Sequence, residues 1–382
     1  MRVLKIFFSC FIVSVFLFFM PVTAFAADPQ FNYYSEQYQE SGAADLMDKL
    51  PDDTRSSLEQ LGVSGADWNE ITSLSPQSLF QQVFSMVGGN LQEPVRAAIA
   101  VIAMMLICAL LNGMKLSFGD RPVSSVIGLV GTLCVCTVVI QPIVSCIHNA
   151  ANIIHAAADF LLACVPVLVG IMIAAGQLVS ANSYNLLMMA AGNGISLLSS
   201  NILVPLMNIF LAFSVVSAVS PGIGLGGLCA AFHKVVKWTI GFCMTVFSGL
   251  LTIHSVVAAS ADSATAKAAK FVVSNSVPIV GSALGDAVQS IGACLKMLKS
   301  GVGAFGLLAG IFIFLPLLIQ CISWVIMMHI CSGISDVFDQ KEISSVLKAS
   351  AAVLETMLAI TFCCMALLIV STVVMLIMGG TT

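Results

Sequence analysis

Between Ala97 and Ala261 the chain carries six charged side chains: Lys115, Asp120, Arg121, Asp159, Lys234 and Lys237. A stretch this long with so little charge cannot keep a surface wet, so lipid or protein must cover it. Over the whole chain 59% of residues are hydrophobic and 9% charged. Soluble domains run at about 45–50% apolar and about 25% charged. A soluble domain is therefore excluded, and so is a disordered chain, which would be charge-rich and poor in apolar residues. Backbone groups in hydrocarbon must be satisfied within their own segment. The expected fold is an all-α polytopic membrane protein.

Residues 1–26 have the pattern of a signal peptide. Arg2 and Lys5 form a positive start, Ile6 to Met20 an apolar core, and Ala24-Phe25-Ala26 the small residues a peptidase accepts. The apolar run is short for a span of about 20 residues, so cleavage after Ala26 is expected and residue 27 onward begins outside the cytoplasm. Residues 28–96 hold eleven acids against Lys49, Arg55 and Arg96, a balance of −8. That acidity gives no support for nucleic-acid binding, which calls for a basic patch.

The acidic segment, 27–96, predicts short helices. Pro51-Asp52 starts one that Gly62 ends, and Ser75-Pro76 is an N-cap with proline at the first helical position. Beyond it Leu79, Phe80, Val83, Phe84 and Val87 form a stripe that suits a membrane surface or a partner as well as packing within the chain.

From Ala97 about eight transmembrane helices are expected, at 97–114, 123–147, 160–179, 184–200, 202–219, 238–260, 302–331 and 350–378. The pair within 184–219 is either two short crossings or one broken helix. Two crossings keep Lys234 and Lys237 on the cytoplasmic side with Lys115 and Arg121, as the positive-inside rule prefers. The C-terminus is then expected outside. Residues 97–260 form a first membrane bundle, 261–300 an amphipathic or re-entrant element, and 301–382 the C-terminal membrane helices. Asp286, Pro278 and the glycines near them argue against a crossing at 277–295, because an acid at a span centre costs about 2.5–3.5 kcal/mol.

Thirteen cysteines would suggest a disulfide framework in a small secreted chain. Here none falls in 27–96, most sit in apolar runs, and neither Cys134-x-Cys136 nor Cys363-Cys364 has zinc-site spacing. Gly222-Ile223-Gly224-Leu225-Gly226-Gly227 fits GxGxxG without the strand and βαβ unit that give it meaning. Walker A and HExxH sequences are absent. Gly194-Ile195-Ser196 with His254 or His329 is a faint serine-protease pattern, outweighed by the ordinary use of small residues in helix packing. His155 and Asp159 share a helical face with His148 a heptad earlier, most simply a solvated loop. The chain is expected to be no enzyme and to hold no cofactor or metal.

Ionisable residues within spans are the better candidates. Glu355 lies inside the last expected span with Lys348 seven residues before it, and either lines a polar cavity or snorkels to the interface. Gly281-x-x-x-Gly285 and Gly306-x-x-x-Gly310 offer small surfaces for close helix approach. In the 261–300 element, Lys267 and Lys270 lie three apart on one helical face, Pro278 and Gly281 break and loosen the backbone, and Asp286 needs a polar neighbour.

The string Ala266-Lys267-Ala268-Ala269-Lys270-Phe271-Val272-Val273-Ser274-Asn275, followed by Val277-Pro278-Ile279-Val280-Gly281 and Asp286, resembles the core of the stage III sporulation protein AE family. The layout of signal, acidic outer segment and apolar spans is similar over nearly the whole chain. The resemblance implies a multi-pass protein of the mother-cell membrane around the forespore, in endospore-forming bacteria. It implies a place in a channel-like complex that links the two cells and sustains forespore development. Its partners would be other stage III sporulation membrane proteins of the same eight-gene operon, including an ATPase and a ring-forming protein, and stage II sporulation protein Q, within the lipid bilayer. The competing class is a secondary permease for a small solute, favoured by the broken segments and Glu355.

Overall fold

The computed structural model describes residues 31–113, 123–198, 201, 203–219, 226–276 and 281–377. The signal peptide, the connections at 114–122, 220–225 (with most of the GxGxxG match) and 277–280, and the last five residues lie outside the described residues.

Among the described residues there are helices and no strands. Four short helices open the chain: α1 (Phe31–Glu40), α2 (Asp52–Gln60), α3 (Trp68–Thr72) and α4 (Pro76–Asn90), with a 3₁₀ turn at Ala44–Lys49. Pro51 begins α2 and Gly62, at φ +82°, turns the chain after it. Ser75 accepts the Ser78 N–H to cap α4, whose second residue is on from Pro76 at the first position. Residues 31–74 form a small cap. Tyr34 and Tyr38 stack at 6.2 Å, and their hydroxyls take the backbone N–H groups of Trp68 and Ala66. Burial pushes both phenols above their ordinary range, so both stay protonated.

Seven longer helices follow: α5 (Gln92–Gly113), α6 (Val123–Ala174), α7 (Leu178–Leu198), α8 (Val204–Val219), α9 (Gly226–Ser276), α10 (Gly281–Val337) and α11 (Lys341–Ile377). Contacts between them order the bundle. On α10 and α11 the pairs Gly306/Thr372, Gly310/Leu368, His329/Glu355 and Asp336/Lys348 run in opposite directions, so the two helices are antiparallel. Asn149/Gln320 and Phe160/Phe305 place α6 antiparallel to α10. The cap rests on α10 at Gly301, which abuts the Ala66 carbonyl and Trp68, and on α6 where Gly42 meets Val167.

Two of the expected span pairs are fused. Residues 123–147 and 160–179 fall for the most part in one helix, α6, of 52 residues. A loop was expected between them because His148, Asn149, His155 and Asp159 are polar. On the continuous helix, Asn149 reaches Gln320 instead, and His155 Nδ1 lies 3.0 Å from Ser196 Oγ. Pro142 and Pro166 sit inside α6 without ending it, as packed membrane helices allow. The stretch 184–219 is the broken passage rather than two crossings. On α7, Met188 takes a hydrogen bond from Ser371, whereas Phe210 of α8 lies beside His233 and Thr356 farther down α11. Each fusion replaces two expected spans by one passage, so the bundle of described residues has six passages, five of which include a helix long and apolar enough to cross a membrane.

The 261–300 stretch is helical on both sides of 277–280 and continuous with its neighbours. Residues up to Ser276 continue α9, and residues from Gly281 begin the 57-residue α10. Within the described residues, Pro76–Leu111, Val130–Ala174, Gly227–Ala264, Ile291–Val337 and Lys341–Val374 are long and apolar enough to cross a membrane. At 1.5 Å per residue α10 is about 85 Å long, far beyond a hydrocarbon core of about 30 Å, so it continues past the membrane.

Six passages predict that the C-terminus shares a side with the cap. Cysteines introduced by Asp45→Cys and Gly379→Cys should react together with an impermeant maleimide in intact cells, and Asp339→Cys at the opposite turn should not. Equal labelling of positions 339 and 45 would rule out this topology.

Candidate functional site

Glu355 is the last charged residue of the chain, and it sits in α11 at the wall of an open-sided cavity of about 310 Å³. Three passages enclose the space: α8 with Phe210, Ser214 and Ser217, α9 with Cys229 and His233, and α11 with Ser345 and Glu355. The helical spacing of Ser345, Ala349, Ala352 and Glu355 puts them on one face of α11. The alanines leave room that larger side chains would fill.

The polar groups around the cavity are paired across helices. Glu355 Oε1 lies 3.0 Å from His329 Nε2 of α10. His233 Nδ1 lies 2.6 Å from Thr356 Oγ1, and the His233 ring stacks on Phe210 with centroids 6.3 Å apart. Ser214 donates to the Cys229 sulfur at 3.9 Å. Lys348, one heptad before Glu355, turns to Asp336 at 2.8 Å and does not serve as the Glu355 counter-ion. Glu355 stands at the cavity wall with its side chain about half exposed.

A second polar cluster lies at the cap end. Asp262 of α9, 7% exposed, accepts the Val179 and Ser180 backbone N–H groups at 3.0 and 2.8 Å. It thereby satisfies donors at the start of α7, where the helix dipole also favours a carboxylate. Lys299 of α10, 5% exposed, lies in the field of Asp262 but its Nζ has no hydrogen-bond partner, and neither has Ser180 Oγ. Between Lys237 and Asp262 α9 has no charge, a run of about 36 Å that matches one membrane thickness.

The remaining sequence candidates are less informative. Lys267 and Lys270 lie on α9 and Asp286 on α10, as helical backbone whose side chains are outside the described ones, and Gly281 opens α10. Pro278 lies outside the described residues. Gly306 and Gly310 meet Thr372 and Leu368. Ser196 is approached by His155. The described residues contain no group of three or more His, Cys, Asp or Glu able to hold a metal, and the described cysteines are free thiols.

His233, Asp262 and Lys299 were not among the sequence candidates, and His329 was named only as a possible partner of Ser196. Asp262 and Lys299 do carry a signal, since each is the charge that ends a long uncharged run. The two histidines carry none, because their partners are set by packing across passages.

A family model described as Stage III sporulation protein AE matches residues 67–379. The chain is similar to the stage III sporulation protein AE of Bacillus subtilis (strain 168), with 24% identity over 234 residues, 61% of this chain. That match spans 59% of the relative's own length. No solved structure matches.

Proposed function

The chain belongs to the stage III sporulation protein AE family, and from that premise we propose that it is an integral membrane subunit of the channel-like complex joining mother cell and forespore. Family membership and the long apolar helices give it a role in sporulation and a place in a membrane. Residence in the mother-cell membrane around the forespore belongs to the proposal. So do its partners: the other membrane proteins of the same operon, an ATPase and a ring-forming protein among them, and stage II sporulation protein Q. No catalytic step of its own is assigned to it.

The observation that carries the proposal is the reach of the cap end. Beyond Asp262 and Lys299, α9 and α10 run on to Ser276 and back from Gly281, about 20 Å past the uncharged band. The acidic cap is seated against Gly301 of α10, next to Lys299. A solitary transporter has no need of helices so far outside the bilayer, whereas a subunit bridging two membranes does. The polar cavity favours the second reading, a secondary permease for a small solute.

Two experiments separate them. Tagged protein from sporulating cells should co-purify with the ATPase and the ring-forming protein. Purified protein alone in liposomes should take up no solute, and uptake without partners would overturn the subunit proposal. Glu355→Gln should leave abundance in the membrane normal while lowering heat-resistant spore counts. Wild-type counts would remove the cavity from the function, and loss of the protein would assign Glu355 to folding.

A further inference from the structure

We infer that the exposed side of α9 is a contact between two copies of this chain, joined across a two-fold axis normal to the membrane with His254 of each copy meeting the other. The inference goes beyond the channel reading and does not depend on it.

Of the five long apolar stretches, the one on α9 is the least covered: 6% of its most apolar part is buried within the chain, against 28–83% in the others. Lipid suits most of that surface, where Leu250, Ile253 and Val257 are 47%, 64% and 62% exposed. It does not suit His254, which is exposed beside them. His254 stands eight residues from Asp262 and seventeen from Lys237. Those are about 12 Å and about 25 Å along the helix, so the imidazole lies well inside the uncharged band. The hydroxyls of α9 bond back to their own helix, Thr245 to the Gly241 carbonyl at 2.8 Å and Thr252 to the Ser248 carbonyl at 2.7 Å. His254 makes no such bond, and none to another helix, among the described residues. Ionisable side chains within a bilayer face protein or water and pair with one another, so this one calls for a protein neighbour.

The spacing on α9 names that neighbour. Cys243, Leu250 and Val257 recur every seven residues, with Phe247, His254 and Ala261 at the alternate positions between them. This is the repeat of a paired-helix seam, in which a single polar residue fixes the register. Copies in one membrane share an orientation, so a two-fold axis along the membrane normal runs their α9 helices parallel and sets both His254 at one depth. A neutral imidazole carries one donor and one acceptor nitrogen. Two rings are therefore complementary to each other, and a second copy supplies what the first lacks. Cys243, the exposed thiol among the described cysteines, lies in the same seam and reports on it.

The test uses the full-length protein in membranes, oxidised with copper phenanthroline and run on a non-reducing gel. Wild type should give a dimer band that dithiothreitol removes and Cys243→Ser lacks. Cys243→Ser with Leu250→Cys should restore the band. Cys243→Ser with Met244→Cys should not, because Met244 lies one heptad before the buried Leu251 on the side facing the bundle. His254→Leu should lower the cross-linked fraction about fivefold, the scale of one interhelical hydrogen bond in a membrane. His254→Asn keeps a donor and an acceptor and should stay near wild type. The wild-type and thiol arms leave His254 in place, so the test does not depend on its variants folding. A monomeric wild type, a band that survives Cys243→Ser, or equal bands from Met244→Cys and Leu250→Cys would overturn the inference. So would His254→Leu at the wild-type level, which leaves the imidazole to lipid. A Cys243-dependent adduct of a mass other than two copies would give the face to a different protein and overturn it too.

Discussion

Asp262→Leu should deplete the protein from the membrane fraction, and the double substitution Asp262→Leu with Lys299→Met should restore much of it. The first change removes the carboxylate that holds the Val179 and Ser180 N–H groups, and it leaves the buried Lys299 ammonium with no negative charge nearby. The two groups are not hydrogen-bonded to each other, and removing the opposite charge a few ångströms beyond ion-pair distance costs about 2–3 kcal/mol at an effective dielectric of about 20. A fold is held by about 5–15 kcal/mol in all, so the loss is a large share of it. The double change takes away the stranded cation and leaves the uncapped start of α7 as the remaining defect, at about 1 kcal/mol. Asp262→Asn should fall between, since its amide oxygen still accepts one hydrogen bond. Immunoblots of membranes and the unfolding midpoint in detergent measure all three. If Asp262→Leu alone behaves as wild type, Lys299 does not rely on Asp262.

This cluster also marks where reading the sequence stops. The uncharged run from Trp238 to Ala261 lies inside α9, the run at 302–331 lies within α10, and the run at 350–378 follows α11 to its end at Ile377. Hydropathy reports whether a segment tolerates lipid, and those segments do. What it does not report is whether a short polar interruption becomes a loop. His148, Asn149, His155 and Asp159 look like a turn because water would satisfy them. Gln320 and Ser196, each far away in sequence, satisfy Asn149 and His155 on an unbroken helix instead. The break between α7 and α8 was legible as one of two alternatives, and the lysine count chose the other. That count depended on α6 crossing twice, so one misplaced loop forced a second.

The cavity shows the same division. Glu355 stands out in sequence because it is an acid inside the last expected span. Its neighbours His329 and His233 come from α10 and α9, and only antiparallel packing brings them near it. Lys348 was expected on its face by heptad spacing. The turn at Asp339, with φ +53°, brings α10 back alongside and gives Lys348 to Asp336.

Gly310→Leu should split α10 from α11 and leave an insoluble or degraded protein. These two helices are antiparallel neighbours over most of their length, from Gly306 against Thr372 to Asp336 against Lys348. Gly310 sits where the Leu368 side chain, 5% exposed, fills the space a Cβ would occupy. Membrane helices gain little from expelling lipid, so close packing at such small residues supplies much of their association. Overpacking a core typically costs about 1–3 kcal/mol, and a whole isobutyl group against Leu368 belongs at the upper end. Gly310→Ala should be milder, because Leu368 is a flexible side chain that can change rotamer, whereas backbone could not give way. The control is compensation: Gly310→Ala combined with Leu368→Ala should sit closer to wild type than the two single effects added together, since the added methyl enters the volume just vacated. Membrane abundance and detergent melting midpoints measure the series. Strict additivity would mean that the two residues do not meet, and the antiparallel register of α10 on α11 would then be wrong at its centre.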